Sequence, residues 1–415
     1  MVSRPGSGQG RNQEAVRRHN LGTLLRHVHG AGRLSRAELT ATMGLNRSTI
    51  GALVGELEAL GLCETSETPT ERGTGARPAA GRPSAGVQLA EGGPYVLAVD
   101  LGVETAQVAR VGLGGEVAAR VHLEFGEARE PWKVATAVAT LVRQVLEDAD
   151  AKAPLVGIGI GVPGLVRRAD GLVRLAPNLG WHDVSFGEIL LAALGLETPM
   201  PLALGNDADL AVLAEHRRGA AIGVDDVIYL SGNVGVGAGI LSGGHPFEGA
   251  AGFAGEVGHL NADPEGRECH CGSRGCWETQ VGGEAIAAAL GLPASQVPRL
   301  AEVLPTLEGH AEALRPIARD LGRGLANLVN AFNPQLLVLG GFLGPVLTLC
   351  REEVLEGLAS RALPAALEGV SVAPPGLGRD SVLLGAAEVA LEPLFRDPEA
   401  ALGAALVDVR TRLVG

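Results

Sequence analysis

Tyr95-Val96-Leu97-Ala98-Val99-Asp100-Leu101-Gly102 reads as a buried strand that ends in an acid and a glycine turn. Residues 107–111 and 116–121 follow as two further strands around the turn Gly114-Gly115. A helix is expected near 131–147, then the strand Val156-Gly157-Ile158-Gly159-Ile160-Gly161 and the turn Val162-Pro163-Gly164. Strands followed by helices recur from Asp226 onward. Such alternation indicates α/β architecture, here as two similar lobes. The boundaries expected are 91–205 for the first lobe, completed by C-terminal helices in 385–415, and 206–384 for the second.

The second lobe carries the densest chemistry. Three of the five cysteines lie within eight positions, in Cys269-His270-Cys271-Gly272 and Gly275-Cys276-Trp277-Glu278, and His259 stands ten residues upstream. Zn²⁺ takes four soft or borderline ligands on a tetrahedron, and His259, Cys269, Cys271 and Cys276 supply a closed Cys₃His set. All four positions come from protein, so a structural zinc is expected rather than a catalytic one. A disulfide is the competing explanation, but a C-x-C pair is too short to bridge comfortably. His270 is expected to stand aside.

The first ninety residues have a different character. A helix over 11–29 would align Val16, Leu21, Leu24, Leu25 and Val28 on one face. Ser35 before Arg36-Ala37-Glu38 is a capping-box pattern for a short helix that ends near Met43. Gly44 gives a tight turn, and Asn46 or Ser48 can cap the next helix over 47–60. Two short helices around a glycine turn form a helix-turn-helix. Asn46, Arg47, Ser48 and Thr49 would begin the recognition helix, with Arg36 close by. A short strand from Gly61-Leu62-Cys63 and its return at Val87-Gln88-Leu89 would frame a wing. Arg72, Arg77 and Arg82 on that wing are expected to reach phosphates or the minor groove. A protein-binding helical hairpin with an inert linker is the competing explanation. Cys63 is expected to be a small buried apolar residue.

Charge supports the division. The chain of 415 residues carries −13 overall, but residues 1–90 hold +4 and the remainder −17. A basic head on an acidic body suits a DNA-binding domain fused to a small-molecule domain. At 46% apolar and 20% charged residues, the composition is that of a globular protein. The start of the chain lacks a signal-peptide pattern, and the apolar stretch 336–350 is broken by Gly340, Gly341, Gly344 and Pro345. A cytoplasmic protein without membrane partners is therefore expected.

Several motifs together carry a family resemblance. They are Asp100-x-Gly102, Gly159-x-Gly161-x-Pro163-Gly164, Pro177-Asn178, Asn206-Asp207-Ala208 and Gly235-Val236-Gly237-Ala238-Gly239. Glu256-Val257-Gly258-His259, the cysteine cluster with Glu278, Leu339-Gly340-Gly341 and Gly385-Ala386-Ala387 continue the series. This order is similar to that of the ROK family (repressor, open reading frame, kinase), over roughly residues 95–395. The head, with Gly81-Arg82-Pro83, resembles its transcriptional-regulator branch.

The resemblance implies a winged helix-turn-helix followed by a two-lobed actin-like ATPase (ribonuclease H-like) sugar-binding module. Asp207 matches the general base of the family's sugar kinases, and Asn206 would hydrogen-bond a neighbouring hydroxyl. Helix capping alone is the simpler role for Asp207. Glu256, His259 and Glu278 match residues that hold the other hydroxyls, with His259 offering one ring nitrogen to zinc and the other to ligand. The nucleotide side departs from the family pattern. Glu104 stands where Thr is expected and would repel phosphates, although Thr105 follows it. The second phosphate loop reads Asn233-Val234-Gly235 in place of Gly-Thr-Gly. The expectation is a sugar-responsive repressor, without kinase activity, that binds operator DNA as a homodimer or dimer of dimers. A sugar kinase with a fused DNA-binding head is the alternative.

Overall fold

The computed structural model describes residues 8–66, 86–147, 153–195, 200–307 and 309–405. Arg72, Arg77 and Arg82 lie outside the described residues. Among the described residues no helix is long and apolar enough to cross a membrane.

The head begins with α1 (Gly8–Ala31), β1 (Arg33–Ser35), α2 (Arg36–Met43) and α3 (Arg47–Ala59). Ser35 and Glu38 form a reciprocal capping box at the start of α2, and Gly44 ends that helix at φ 65°. Asn46 caps α3 by accepting from the Thr49 amide at 2.8 Å. Strands β2 (Cys63–Ser66) and β3 (Gly86–Leu89) pair antiparallel, and β1 adds to β3. The strand β1 has no counterpart in the expectations, because three residues carry no readable alternation. Leu21, Leu24, Leu25 and Val28 are buried as expected, but Val16 is 53% exposed. The first turns of α1 meet the rest of the chain through ions instead, Arg18 to Asp397 at 3.0 Å and Arg17 to Glu399 at 3.2 Å. Cys63 is buried and free.

The first lobe contains β4 (Tyr95–Leu101), β5 (Thr105–Gly112), β6 (Val117–Glu124), α4 (Pro131–Leu146) and β7 (Leu155–Val162). Next come β8 (Leu165–Arg167), β9 (Leu172–Ala176), β10 (Trp181–Val184), α5 (Phe186–Leu194) and β11 (Leu202–Asn206), and α6 (Asp207–Arg218) then leads into the second lobe. The second lobe has β12 (Val227–Gly232), β13 (Val236–Ser242) and β14 (His245–Pro246), then α7 (Glu278–Val281), α8 (Gly283–Ala289), α9 (Leu300–Val303) and α10 (Ala311–Phe332). It continues with β15 (Leu336–Gly341), α11 (Leu343–Leu349), α12 (Arg351–Ala359), α13 (Pro364–Leu367) and β16 (Ser371–Ala373). Helices α14 (Ser381–Ala390), α15 (Glu392–Arg396) and α16 (Pro398–Gly403) end the described chain.

The two large sheets repeat one topology. Their orders are β6-β5-β4-β7-β11 and β14-β13-β12-β15-β16. In each, the first three strands form an antiparallel meander and the last two run parallel to its first strand. Central strands such as β7 and β12 are buried along their whole length, as sheets covered on both faces require. A smaller sheet, β8-β9-β10, rides on the first lobe.

The lobes have separate apolar cores, one around Leu97, Ile158 and α4, the other around Leu230, Leu321 and α10. A third core joins head to body, because Leu21, Leu24 and Val28 of α1 share it with Val96, Leu384 and Phe395. Helix α6 packs against β12 and β13 on one side and α14 on the other, and so lies between the two sheets. Its N-terminus is where the candidate site begins.

Candidate functional site

Strand β11 delivers Asn206 and Asp207 to the start of α6. Asn206 is the true N-cap: its Oδ1 accepts from the amides of Ala208 at 2.8 Å and Asp209 at 3.2 Å. Its Nδ2 donates to the Gly164 carbonyl at 2.9 Å, so the residue is fastened at both ends. Asp207 is 8% exposed and its Oδ1 accepts from the Ala208 amide at 2.9 Å. Its Oδ2 accepts from Asn233 Nδ2 at 2.9 Å and Ser231 Oγ at 3.2 Å, both at the end of β12. Burial raises the Asp207 pKa in spite of these donors.

Other acids crowd the same space. Asp100, at the end of β4, is pushed up to about 7, by burial first and then by Asp207 and Asp380. Asp209 reaches about 7 by burial, Asp207 and Glu256. Glu256 is 43% exposed yet is also pushed up to about 7, by desolvation first and then by Asp207 and Glu278.

His259 and Glu278 continue from this acidic floor. The donor atoms of His259, Cys269, Cys271 and Cys276 all lie within 4.8 Å of one another. Cys271 and Cys276 sulfurs are 3.6 Å apart, and Cys269 Sγ is 3.7 Å from His259 Nδ1. A zinc tetrahedron with bonds of about 2.3 Å has edges of roughly 3.7 Å, which these two separations match, and the four donors are grouped closely enough to hold a metal ion. The cysteines are free. With Nδ1 aimed at the sulfurs, His259 turns Nε2 toward Glu256, 4.0 Å from Oε2. Glu278 lies beneath: Oε1 accepts from Cys269 Sγ at 3.3 Å and Oε2 from the Val236 amide at 3.2 Å. His270, expected to stand aside, has Nδ1 3.2 Å from Glu278 Oε1, where it forms a second potential donor group with His259.

The nucleotide side also differs from expectation. Glu104 is not a lone negative charge, because Arg129 Nη2 donates to its Oε1 at 2.8 Å. The same guanidinium donates through Nη1 to the Asn178 carbonyl at 2.9 Å. Repulsion of phosphate by Glu104 is therefore offset by a partner that its loop sequence does not reveal. Arg129, Asn233, Ser231 and Asp209 join the site only through the fold. The signal available for Asn233 was its position in a loop that departs from the family pattern; nothing local pointed to Arg129.

On the head, Asn46, Arg47 and Ser48 are exposed and Thr49 is half-buried. Asn46 Oδ1 collects the Thr49 amide, Ser48 Oγ at 2.7 Å and Thr49 Oγ1 at 2.9 Å. The cap thereby engages three of the four residues expected to begin the recognition helix with one another. Arg47 projects from the first turn of α3. Arg36 reaches Thr65 Oγ1 at 3.2 Å, which ties α2 to the wing strand β2.

Comparison with known proteins agrees with this architecture. The ROK family model matches residues 96–392. The xylose repressor of Caldicellulosiruptor bescii is 29% identical over 390 residues, covering 88% of this chain and 94% of that protein. A crystal structure of a ROK family transcriptional regulator, a homologue of the E. coli MLC protein, matches with TM-score 0.71 and 24% identity, covering 97% of this chain and all of that one. A ROK family glucokinase from Streptomyces griseus, in complex with glucose and AMPPNP, matches with TM-score 0.62 and 27% identity over 72% of this chain and 99% of its own. The kinase match spans less of the chain than the repressor and regulator matches do. With a winged helix-turn-helix ahead of a two-lobed actin-like body, the chain belongs to the transcriptional-regulator branch of the ROK family.

Proposed function

We propose that this chain is a sugar-responsive, DNA-binding transcriptional regulator, a repressor whose kinase-like body binds a neutral sugar without phosphorylating it. The observation that carries this is the presence in one chain of an exposed α3 N-terminus and a cluster of Asn206, Asp207, Glu256, His259 and Glu278 at the start of α6 and beside the cysteine loop. The xylose repressor and the glucokinase named above support the sugar class.

In this cluster, carboxylates and imidazole accept and donate to vicinal hydroxyls, and a sugar that lacks a hydroxyl leaves a buried polar group unpaired. Asp207, raised in pKa by burial, serves as a hydrogen-bonding group for one hydroxyl. Its Oδ2 already accepts two hydrogen bonds, which fix the orientation of the carboxylate. The Glu104–Arg129 pair and the Val234 methyl occupy phosphate-loop positions. Zn²⁺ held by His259, Cys269, Cys271 and Cys276 would close the 259–278 loop as a structural ion. His259 would then present Nε2 to the sugar with its ring orientation fixed.

On the head, Arg47, Asn46, Ser48 and Thr49 would enter a major groove, with Arg36 and the wing arginines on phosphates. A homodimer with two-fold symmetry would match palindromic half-sites. Sugar acts through its different affinity for the open and closed lobes. Calorimetric titration of the full chain with D-xylose, D-glucose, D-mannose and N-acetyl-D-glucosamine tests the sugar reading. Binding of one of them supports it, and binding of none contradicts it.

Sugar-dependent ADP production is the outcome favoured by the alternative, a true kinase. The glucokinase match and the buried acid at the start of α6 speak for it.

A further inference from the structure

Helix α6 has the sugar site at one end and the DNA head at the other. Asn206 and Asp207 open it, and Arg217 and Arg218 end it twelve residues later, about 18 Å away at 1.5 Å per residue. At the far end three separated segments meet: α1 of the head, the β5–β6 turn and α14.

Glu388 of α14 is the hub. Arg217 Nη1 lies 2.6 Å from its Oε2, Arg218 Nε 2.7 Å from its Oε1, and His29 Nε2 3.0 Å from Oε1. His29 and Glu388 are only 3% and 2% exposed. The Gly114 amide donates to His29 Nδ1 at 2.9 Å, while Nε2 lies against both Glu388 Oε1 and Arg218 Nη2. Arg218 also donates to the Gly114 carbonyl at 2.6 Å and the His29 carbonyl at 3.3 Å. Burial would raise Glu388, yet the bond from His29 and the two guanidinium groups hold it well below the usual carboxylate range. The cluster is therefore a buried site centred on the Glu388 carboxylate, and each member that moves away costs it a partner.

The near end is clamped as tightly to the second lobe. Ser231 and Asn233 bond Asp207, and the Ala208 carbonyl lies so close to Gly239 of β13 that a Cβ there would approach it to 2.1 Å. Fully buried Glu215 accepts from the amides of Gly376 at 2.8 Å and Leu377 at 3.0 Å, in the segment that leads from β16 to α14. A helix held this way transmits displacement along its axis, because close-packed interfaces rearrange rather than deform.

We propose that α6 is the element that couples sugar to DNA, and that the His29–Glu388–Arg217–Arg218 cluster is the joint through which it engages the head. Movement of the second lobe onto a sugar shifts Asp207 and its helix. The shift changes how the two arginines seat Glu388 and His29, and α1 carries it into the helix-turn-helix. The inference rests on the sugar-sensing function above and adds to it a specific route. Coupling through one joint is reciprocal, so its loss separates the two sites while each keeps its own ligand.

The test is hydrogen exchange on the full-length, zinc-loaded chain, with and without saturating sugar from the same four-sugar panel. Calorimetry on the same samples reports occupancy. In the wild type, bound sugar is expected to slow exchange at the start of α6 and to change it in the last turns of α1 and in the β5–β6 turn. In His29→Gln and Arg217→Gln the sugar still binds and the α6 response remains, while the α1 response falls at least fivefold. Arg217 is 26% exposed, so its variant keeps the test open if His29→Gln fails to fold. A wild-type α1 that ignores bound sugar overturns the proposal, and so does a full α1 response in both variants. If none of the sugars binds at all, sugar sensing itself fails and the joint falls with it.

Discussion

Asn233 Nδ2 donates to Asp207 Oδ2 across 2.9 Å, joining the loop after β12 to the carboxylate that opens α6. Ser231 Oγ donates to the same oxygen at 3.2 Å. A general base needs an oxygen free to take a proton within reach of the substrate hydroxyl. Here one oxygen serves two side chains and the other accepts the Ala208 amide at 2.9 Å. The carboxylate at the family's general-base position thus keeps about one of its four acceptor sites for a ligand.

With Mg-ATP and the bound sugar, the full chain is expected to release no ADP above the sugar-free background in a coupled assay. Sugar-dependent turnover that disappears in Asp207→Ala would establish a kinase instead.

Sugar affinity depends on the acids. Replacing Asp207 by Ala or Glu256 by Gln removes a hydrogen bond to a hydroxyl and is expected to weaken binding by about 1–3 kcal/mol, roughly 5- to 150-fold. Titration calorimetry measures this, and an unchanged dissociation constant in both variants would remove these residues from the site.

The metal is expected to be one zinc per chain, lost in Cys276→Ser as read by atomic emission. Because Cys269 Sγ sits 3.3 Å from Glu278 Oε1 and His259 faces both groups, chelation should also weaken sugar binding by about 10- to 100-fold. Full sugar affinity in a metal-stripped chain would separate the two sites.

Acid crowding gives a pH signature. Asp100 and Asp209 hold protons to about 7 in the folded chain, against roughly 4 when unfolded. Their raised values contribute stability that is present below the unfolded pKa and lost as pH rises through about 7. Asp209→Asn is therefore expected to gain thermal midpoint over wild type as pH rises from about 5 to about 8. A difference that stays constant across that range would mean that Asp209 titrates normally.

Arg47 is the cation at the start of α3, and Arg47→Ala is expected to weaken DNA binding. If it contacts phosphate, the slope of log affinity on log salt falls by about 1; if it contacts a base edge, binding drops by about 1–3 kcal/mol at one position. Unaltered affinity and salt slope would take Arg47 out of the interface.

Much of the scaffold can be seen in the chain because its signals are local. Asn46 marks the start of α3 three residues ahead of the amide it caps, and the unbroken apolar run at 95–99 marks a strand covered on both faces. The cysteine spacing points to a tetrahedral donor set because the ligands sit within one turn-rich loop. What stayed hidden is long-range. His29 and Glu388 are 359 positions apart, and Arg129 finds Glu104 from 25 positions away. Long-range polar pairs of this kind leave no periodicity, so neither partner advertises the other. Val16 fits the apolar pattern yet stands exposed, because this end of α1 is held by Arg17 and Arg18 pairing with acids of the C-terminus.

The most direct measurement is DNA affinity at fixed salt, with and without sugar. A duplex enriched from a random pool by the full-length chain would serve as operator, and fluorescence anisotropy would give its dissociation constant. Saturating sugar is expected to raise that constant by about 5- to 150-fold, the usual range for coupled sites. A sugar that calorimetry finds bound, yet leaves operator affinity unchanged, would contradict the regulator described here.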